Sequence, residues 1–151
     1  MLVFVYGLAP ISSTSAQTGM PRVVDGDSLV IGDIRIRLFG IDAPEREQTC
    51  EKNEHPWPCG LVAWSELVKL TAGQSVHCEK KDIDRYNRIV AKCVSKDGDL
   101  AKLMVGSGWA PAYRQYSMDY VALEQKAKNQ SLGIWSGKFT SPWIWRRTKH
   151  Q

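Results

Sequence analysis

Two short acidic segments, with an arginine between them, carry the residues of this sequence best suited to chemistry. Asp25 and Asp27 alternate in residues 23–29, Asp42 closes residues 37–42, and Glu45 follows Pro44, whose fixed φ stiffens the chain presenting it. Hard cations such as Ca²⁺ or Mg²⁺ prefer carboxylate and carbonyl oxygens, whereas Zn²⁺ takes Cys or His at close spacing, and residues 23–45 contain neither. The pattern points to a hydrolytic site built on calcium or magnesium. Hydrolysis of a phosphodiester needs an activated water, neutralised phosphoryl oxygens and help for the leaving group, with positioning and electrostatics supplying most of the rate. Glu45 is the candidate general base, Asp27 and Asp42 are candidate ion ligands, and Arg37 and Arg88 are candidate phosphate clamps. Arginine suits that last role because its planar fork donates two parallel hydrogen bonds, which lysine cannot copy.

These residues need elements to hold them. Residues 22–24 and 28–31 are apolar-rich, and Gly32-Asp33 is a two-residue turn of the kind that joins hairpin strands. Ile34, Ile36 and Leu38 then alternate with Arg35, Arg37 and Phe39, so one face is core and the other carries two arginines. Alternation alone does not choose between Arg35 and Arg37. Residues 45–58 read as a loop. Leu61, Trp64, Leu67, Val68 and Leu70 fall at helical spacing over residues 59–70, and residues 71–74 stop that helix. Residues 75–95 read as two strands around the polar turn 84–87, and Asp97-Gly98 is a further turn. Asp99 is placed to cap a short helix through Leu100, Leu103, Met104 and Val105, and a last helix is predicted over residues 118–129. Trp64, Trp109 and Trp135 read as core. In the tail, Trp143, Trp145, Arg146 and Arg147 either bind single strands by stacking and charge or pack on the sheet. His55, His77 and His150 receive no role. Five extended segments and three short helices predict an α+β, mainly β fold, compatible with an OB-type barrel.

The chain has 151 residues, enough for one domain with a real core, and 20 Lys plus Arg against 16 Asp plus Glu give a formal charge of +4 and a pI near 8.9. That is a mild bias toward polyanionic partners. Residues 2–11 are apolar and residues 12–16 small and polar, which resembles a secretory signal cleaved after Ala16, although no Lys or Arg precedes the apolar run. The run is about half of what a membrane span needs, so no anchor is expected. The reading is a secreted or periplasmic protein with its domain in residues 17–151. Of the three pairings open to four cysteines, the hairpin favours Cys78 with Cys93, leaving Cys50 with Cys59. A zinc site drawing on His55 or His77 is the competing reading, weakened by the lack of any CxxC pair.

Asp25-Gly26-Asp27-Ser28, residues 37–45, residues 84–88, residues 103–110 and residues 132–135 together resemble, in order and spacing, the staphylococcal nuclease (thermonuclease) family over residues 21–137. The resemblance implies a five-stranded OB-fold barrel with three helices, a single Ca²⁺, and endonuclease cleavage of DNA and RNA leaving 3′-phosphate ends. It implies that Asp27, Asp42 and the carbonyl of Ala43 hold the ion, that Arg37 and Arg88 bind phosphate, and that Glu45 activates water. Tyr113 and Tyr116 match the aromatics beside the nucleotide, and Asp84 and Tyr86 fall in the motif around Arg88 as substrate-binding candidates. Asn87 replaces a glycine often found there, and Asn tolerates the left-handed conformation. The cysteine pairs are no part of the resemblance. Two rival readings remain open: a nucleic-acid-binding module without catalysis, and a phosphodiesterase acting on one specialised nucleic acid or nucleotide. A monomer with no obligate protein partner is expected.

Overall fold

A computed structural model describes residues 15–149 of the chain. In chain order the elements are β1 (Ala16–Gly19), β2 (Pro21–Asp25), β3 (Ser28–Ile31), β4 (Ile34–Leu38), β5 (Cys50–Lys52), β6 (His55–Trp57), α1 (Cys59–Thr71), β7 (Val76–Ile83), β8 (Ile89–Ser95), β9 (Gly98–Asp99), α2 (Leu100–Gly106), α3 (Val121–Asn129), a 3₁₀ turn (Gly133–Ser136) and α4 (Pro142–Lys149). Seven strands form one curled mixed sheet in the order β1-β7-β8-β4-β3-β2, with β9 paired to β8, while β5 and β6 make a separate hairpin. The fold is therefore α+β.

One parallel pairing does most to position the site. β4 runs beside β8 with Ile36 opposite Ile89 and Arg37 opposite Val90, so the strand carrying Arg35 and Arg37 lies next to the residue that follows Arg88. The inner faces of these strands bury Leu29, Ile36, Leu38, Val76 and Ala91, and α1 and α2 close over them with Leu67, Leu100 and Met104. Each of these side chains larger than alanine contributes about 1.5–3 kcal/mol by leaving water. Asp99 caps α2 as its sequence position predicts, accepting from the backbone N–H of Ala101 at 3.0 Å and Lys102 at 3.3 Å.

Several expectations need correction. Five extended segments and three helices become nine strands and four α-helices among the described residues. The loop expected over residues 45–58 contains the β5–β6 hairpin, whose turn residues Asn53 and Glu54 both have positive φ, the geometry of a tight hairpin turn. The helix expected from residue 118 begins at Val121, because residues 118–120 form a turn closed by the Val121 N–H on the Met118 carbonyl. Ile34, expected in the core, is exposed. The aromatic tail is helical. Both disulfides form, Cys50 with Cys59 and Cys78 with Cys93, leaving no free cysteine, so the zinc alternative falls. Ala16, the last residue of the signal-like segment 1–16, begins β1 opposite Glu79, while residues 1–14 of that segment lie outside the described residues, as does His150. No helix among the described residues is long and apolar enough to cross a membrane.

Candidate active site

Asp27 sits in the turn between β2 and β3. Asp25 folds that turn by accepting from the Asp27 N–H at 3.2 Å and from the Ser28 hydroxyl at 2.5 Å, so it braces the loop. The buried Asp27 carboxylate accepts the Ala43 N–H at 2.9 Å, which joins the two acidic segments. Asp42 is fully buried, its N–H held on the Pro111 carbonyl. Between the two carboxylates lies Arg37, whose Nη2 donates to Asp42 Oδ1 at 2.9 Å and stands 3.8 Å from Asp27 Oδ2. Arg37 Nε is buried and has no hydrogen-bond partner among the described residues. Arg35, two residues away, is exposed and donates to the Tyr86 carbonyl at 2.5 Å. Burial thus separates the two arginines that alternation could not.

Glu45 is held through its backbone. The buried Gln48 accepts the Glu45 N–H at 3.3 Å and donates its own N–H to the Glu45 carbonyl at 2.8 Å. Gly60, in the first turn of α1, lies so close that a Cβ there would stand 1.7 Å from the Glu45 carbonyl oxygen, so only glycine lets the loop and helix meet. Across the groove, Asp84 organises the turn into β8. It accepts the N–H groups of Tyr86 at 2.9 Å and Arg88 at 3.0 Å, and its other oxygen takes Arg88 Nε at 2.7 Å. Asn87 completes the turn at φ +59°. A groove of about 640 Å³ is lined by Asp27, Arg37, Glu45, Arg88, Tyr86, Tyr113 and Tyr116 together with Arg35, Asp84 and Arg85. Tyr113 and Tyr116 are in mutual contact, with ring centroids 5.3 Å apart, and the Arg37 guanidinium lies 5.7 Å from the Tyr113 ring.

Burial dominates the electrostatics. It pushes the Asp27 carboxyl up to about 7 against the pull of Arg37, and Asp25 adds to the rise. Asp42 and Glu45 are also raised by burial, with hydrogen bonds from Arg146 opposing the shift. Burial likewise works to raise Asp84, but the hydrogen bonds from Arg88 outweigh it and hold Asp84 below the ordinary range.

Arg146 is the site residue that sequence reasoning left without a role there. Its Nη1 donates to Asp42 Oδ1 and to Glu45 Oε1, each at 2.8 Å, and its Nη2 donates to Asp42 Oδ2 at 3.0 Å. The aromatic and basic composition of residues 142–147 marked the tail without saying which arginine turns inward. Trp143 packs on Tyr113 with ring centroids 5.8 Å apart, and Arg147 stays exposed. Gln48, which fixes Glu45, gave no signal in the sequence. Trp109 and Trp135 pack into the hydrophobic clusters, and Trp64 donates to the Val23 carbonyl. His55 and His77 are exposed.

No group of three His, Cys, Asp or Glu side chains among the described residues forms a metal cage. The donor set nonetheless fits a hard cation. Asp27 and Asp42 bring two buried carboxylates to Arg37, the Ala43 N–H ties Asp27 to the residue after Asp42, and burial holds the carboxyls above their ordinary range, a strain that added positive charge relieves. Chemically, the groove combines a carboxylate able to take a proton, several guanidinium donors and aromatic rings in one lining.

The comparisons agree with that geometry. An uncharacterized endonuclease of Escherichia coli is 33% identical over 99% of this chain and 96% of its own length. A micrococcal nuclease of Shigella flexneri is 35% identical over 83% of this chain and 78% of its own. A succinoglycan biosynthesis protein, ExoI, of Rhizobium meliloti is 34% identical over 78% of this chain and 63% of its own. Residues 35–137, which span β4 through the 3₁₀ turn, match the family described as staphylococcal nuclease homologue, and the chain belongs to that family.

Proposed function

We propose that this protein is a Ca²⁺-dependent, sugar-nonspecific endonuclease that hydrolyses phosphodiester bonds of DNA and RNA and leaves 3′-phosphate ends. The observation that carries the reading is one groove lined by Glu45, Arg37, Asp27 and Arg88, with the buried Asp42 paired to Arg37 behind it. Family membership and the nuclease names of two relatives support it. The sheet is read as the OB-type barrel of that family.

In this mechanism Asp27, Asp42 and the Ala43 carbonyl would hold the ion, which would supply positive charge to offset that developing on the phosphate. Glu45 takes the proton from the water, and a carboxyl raised by burial is a stronger base for that step. Arg37 and Arg88 stabilise charge developing on the phosphoryl oxygens. Arg37 is held at the groove by Asp27 and Asp42, and Asp84 holds the Arg88 fork in register. Tyr113, Tyr116 and Tyr86 line the groove where nucleotide surfaces would rest. The protein is read as a monomer and as exported, the export supported by two disulfides that fit an oxidising compartment.

Purified protein incubated with single- and double-stranded DNA and RNA, in Ca²⁺ and then in chelator, tests the reading. Cleavage of both sugars that stops in chelator is expected; full activity in excess chelator refutes the ion's role. End-labelling of the products reports where the phosphate stays.

A further inference from the structure

We propose, resting on the calcium reading above, that Arg146 is a resident cation of the active site: it occupies Asp42 and Glu45 until the metal takes Asp42, and it then turns its fork to the substrate phosphate. Both oxygens of Asp42, buried behind the groove lining, already carry guanidinium donors. Oδ1 accepts from both Arg37 and Arg146, and Oδ2 accepts from Arg146. Three of the roughly four acceptor sites on that carboxylate are thus filled, and a dication on the remaining one would share the carboxylate with two guanidinium groups, where positive centres in a buried setting repel strongly. The metal and the guanidinium therefore compete for the same carboxylate.

The helix that brings Arg146 does not depend on that contact. The chain before α4 is tied by the paired backbone of Glu51 and Lys138, and by the Gln48 amide, which donates to the Thr140 carbonyl at 2.7 Å. Trp143 packs on Tyr113, and Lys149 pairs with Glu47. When the carboxylates are taken, the side chain swings while its backbone stays, so the arginine remains at high local concentration beside the groove. Its side chain is 31% exposed and lines the same groove as Arg37 and Arg88, where a phosphodiester oxygen replaces the lost carboxylates.

Calorimetric titration of Ca²⁺ alone into the full chain tests the first half of the exchange. Arg146→Gln should bind Ca²⁺ more tightly than wild type by roughly tenfold to a hundredfold, the range expected when a charge-assisted hydrogen bond no longer has to be broken. Arg147→Gln, which changes an exposed neighbour, should stay within about twofold. Arg146→Lys keeps the charge but not the fork, is expected between wild type and Arg146→Gln, and keeps the test readable should Arg146→Gln fold poorly. The second half is read in saturating Ca²⁺ with a phosphorothioate oligonucleotide, which Arg146→Gln should bind about tenfold more weakly than wild type. Unchanged or weaker Ca²⁺ affinity in Arg146→Gln overturns the exchange, as does oligonucleotide affinity equal to wild type. Failure of every protein, wild type included, to bind Ca²⁺ removes the calcium reading itself, a result distinct from equal binding by all.

Discussion

Glu45, Arg37 and Arg88 hold different jobs, and conservative substitutions separate them. Glu45→Gln keeps the shape and removes the base, so turnover should fall by roughly 10²–10⁴-fold while nucleic-acid binding survives. Arg88→Lys keeps charge and loses the fork that Asp84 aligns, so its rate should also fall severely, whereas Arg35→Lys, at an exposed position engaged with a backbone carbonyl, should do far less. If both Glu45→Gln and Arg88→Lys cleave normally in folded protein, the binding-module reading takes the place of the enzyme. The strained carboxyls predict a second behaviour. In chelator, the folded chain holds a proton on Asp27 up to about pH 7, while the unfolded chain releases it near the ordinary value of 3.8. The native state therefore binds more protons across that window, and stability should rise as pH falls from above 7 toward 5. Asp84 and Glu47, both held below their ordinary range, act the other way only at lower pH. Melting temperatures at pH 5 and pH 7.5 check this, with Asp27→Asn expected to flatten the difference; a wild-type melting point that climbs with pH would contradict it.

At the scale of elements, the sequence was legible where one strong local signal decided the outcome and silent where two distant pieces had to meet. The helix over residues 59–70 and the Asp99 cap follow from spacing and capping chemistry, and α1 and α2 match them to within a residue. The β5–β6 hairpin was illegible because its tight turn carries Asn53-Glu54 rather than a glycine, and Glu at positive φ is uncommon. Arg37 could be told from Arg35 only by the family spacing, and the structure supplies the physical reason in burial. Arg146 was hidden because neither composition nor period says which residue of a short terminal helix faces a carboxylate about a hundred positions earlier. The meeting of α1 with the Glu45 loop gives a prediction of its own. Gly60→Ala forces a methyl against the Glu45 carbonyl, so it should cost about 1–3 kcal/mol or more by overpacking and should lower turnover by moving the base. A Gly60→Ala protein with wild-type melting and wild-type rate would mean that the loop and helix part easily.

For the molecule as a whole, the two disulfides serve different ends of the architecture. Cys78 and Cys93 pair across β7 and β8 inside the main core, among the side chains that the helices cover. Cys50 and Cys59 belong to a smaller cluster with Ile134, where the bridge joins the β5–β6 hairpin to the first residue of α1, next to Gly60 and the Glu45 loop. Each bridge should contribute on the order of 2–4 kcal/mol by restricting the unfolded chain. Their loss should nonetheless read out differently. Replacing Cys78 and Cys93 together by Ala should lower the melting temperature while leaving the rate of the folded fraction near wild type, because no site residue lies on that bridge. Replacing Cys50 and Cys59 together should also cost stability, and in addition it should reduce turnover, since the first turn of α1 no longer fixes the strand of chain that carries Glu45. Thermal melts paired with initial rates measured well below each melting temperature separate the two effects. Equal losses of rate in the two double variants would mean that Glu45 is positioned by the main core and not by the bridge beside it.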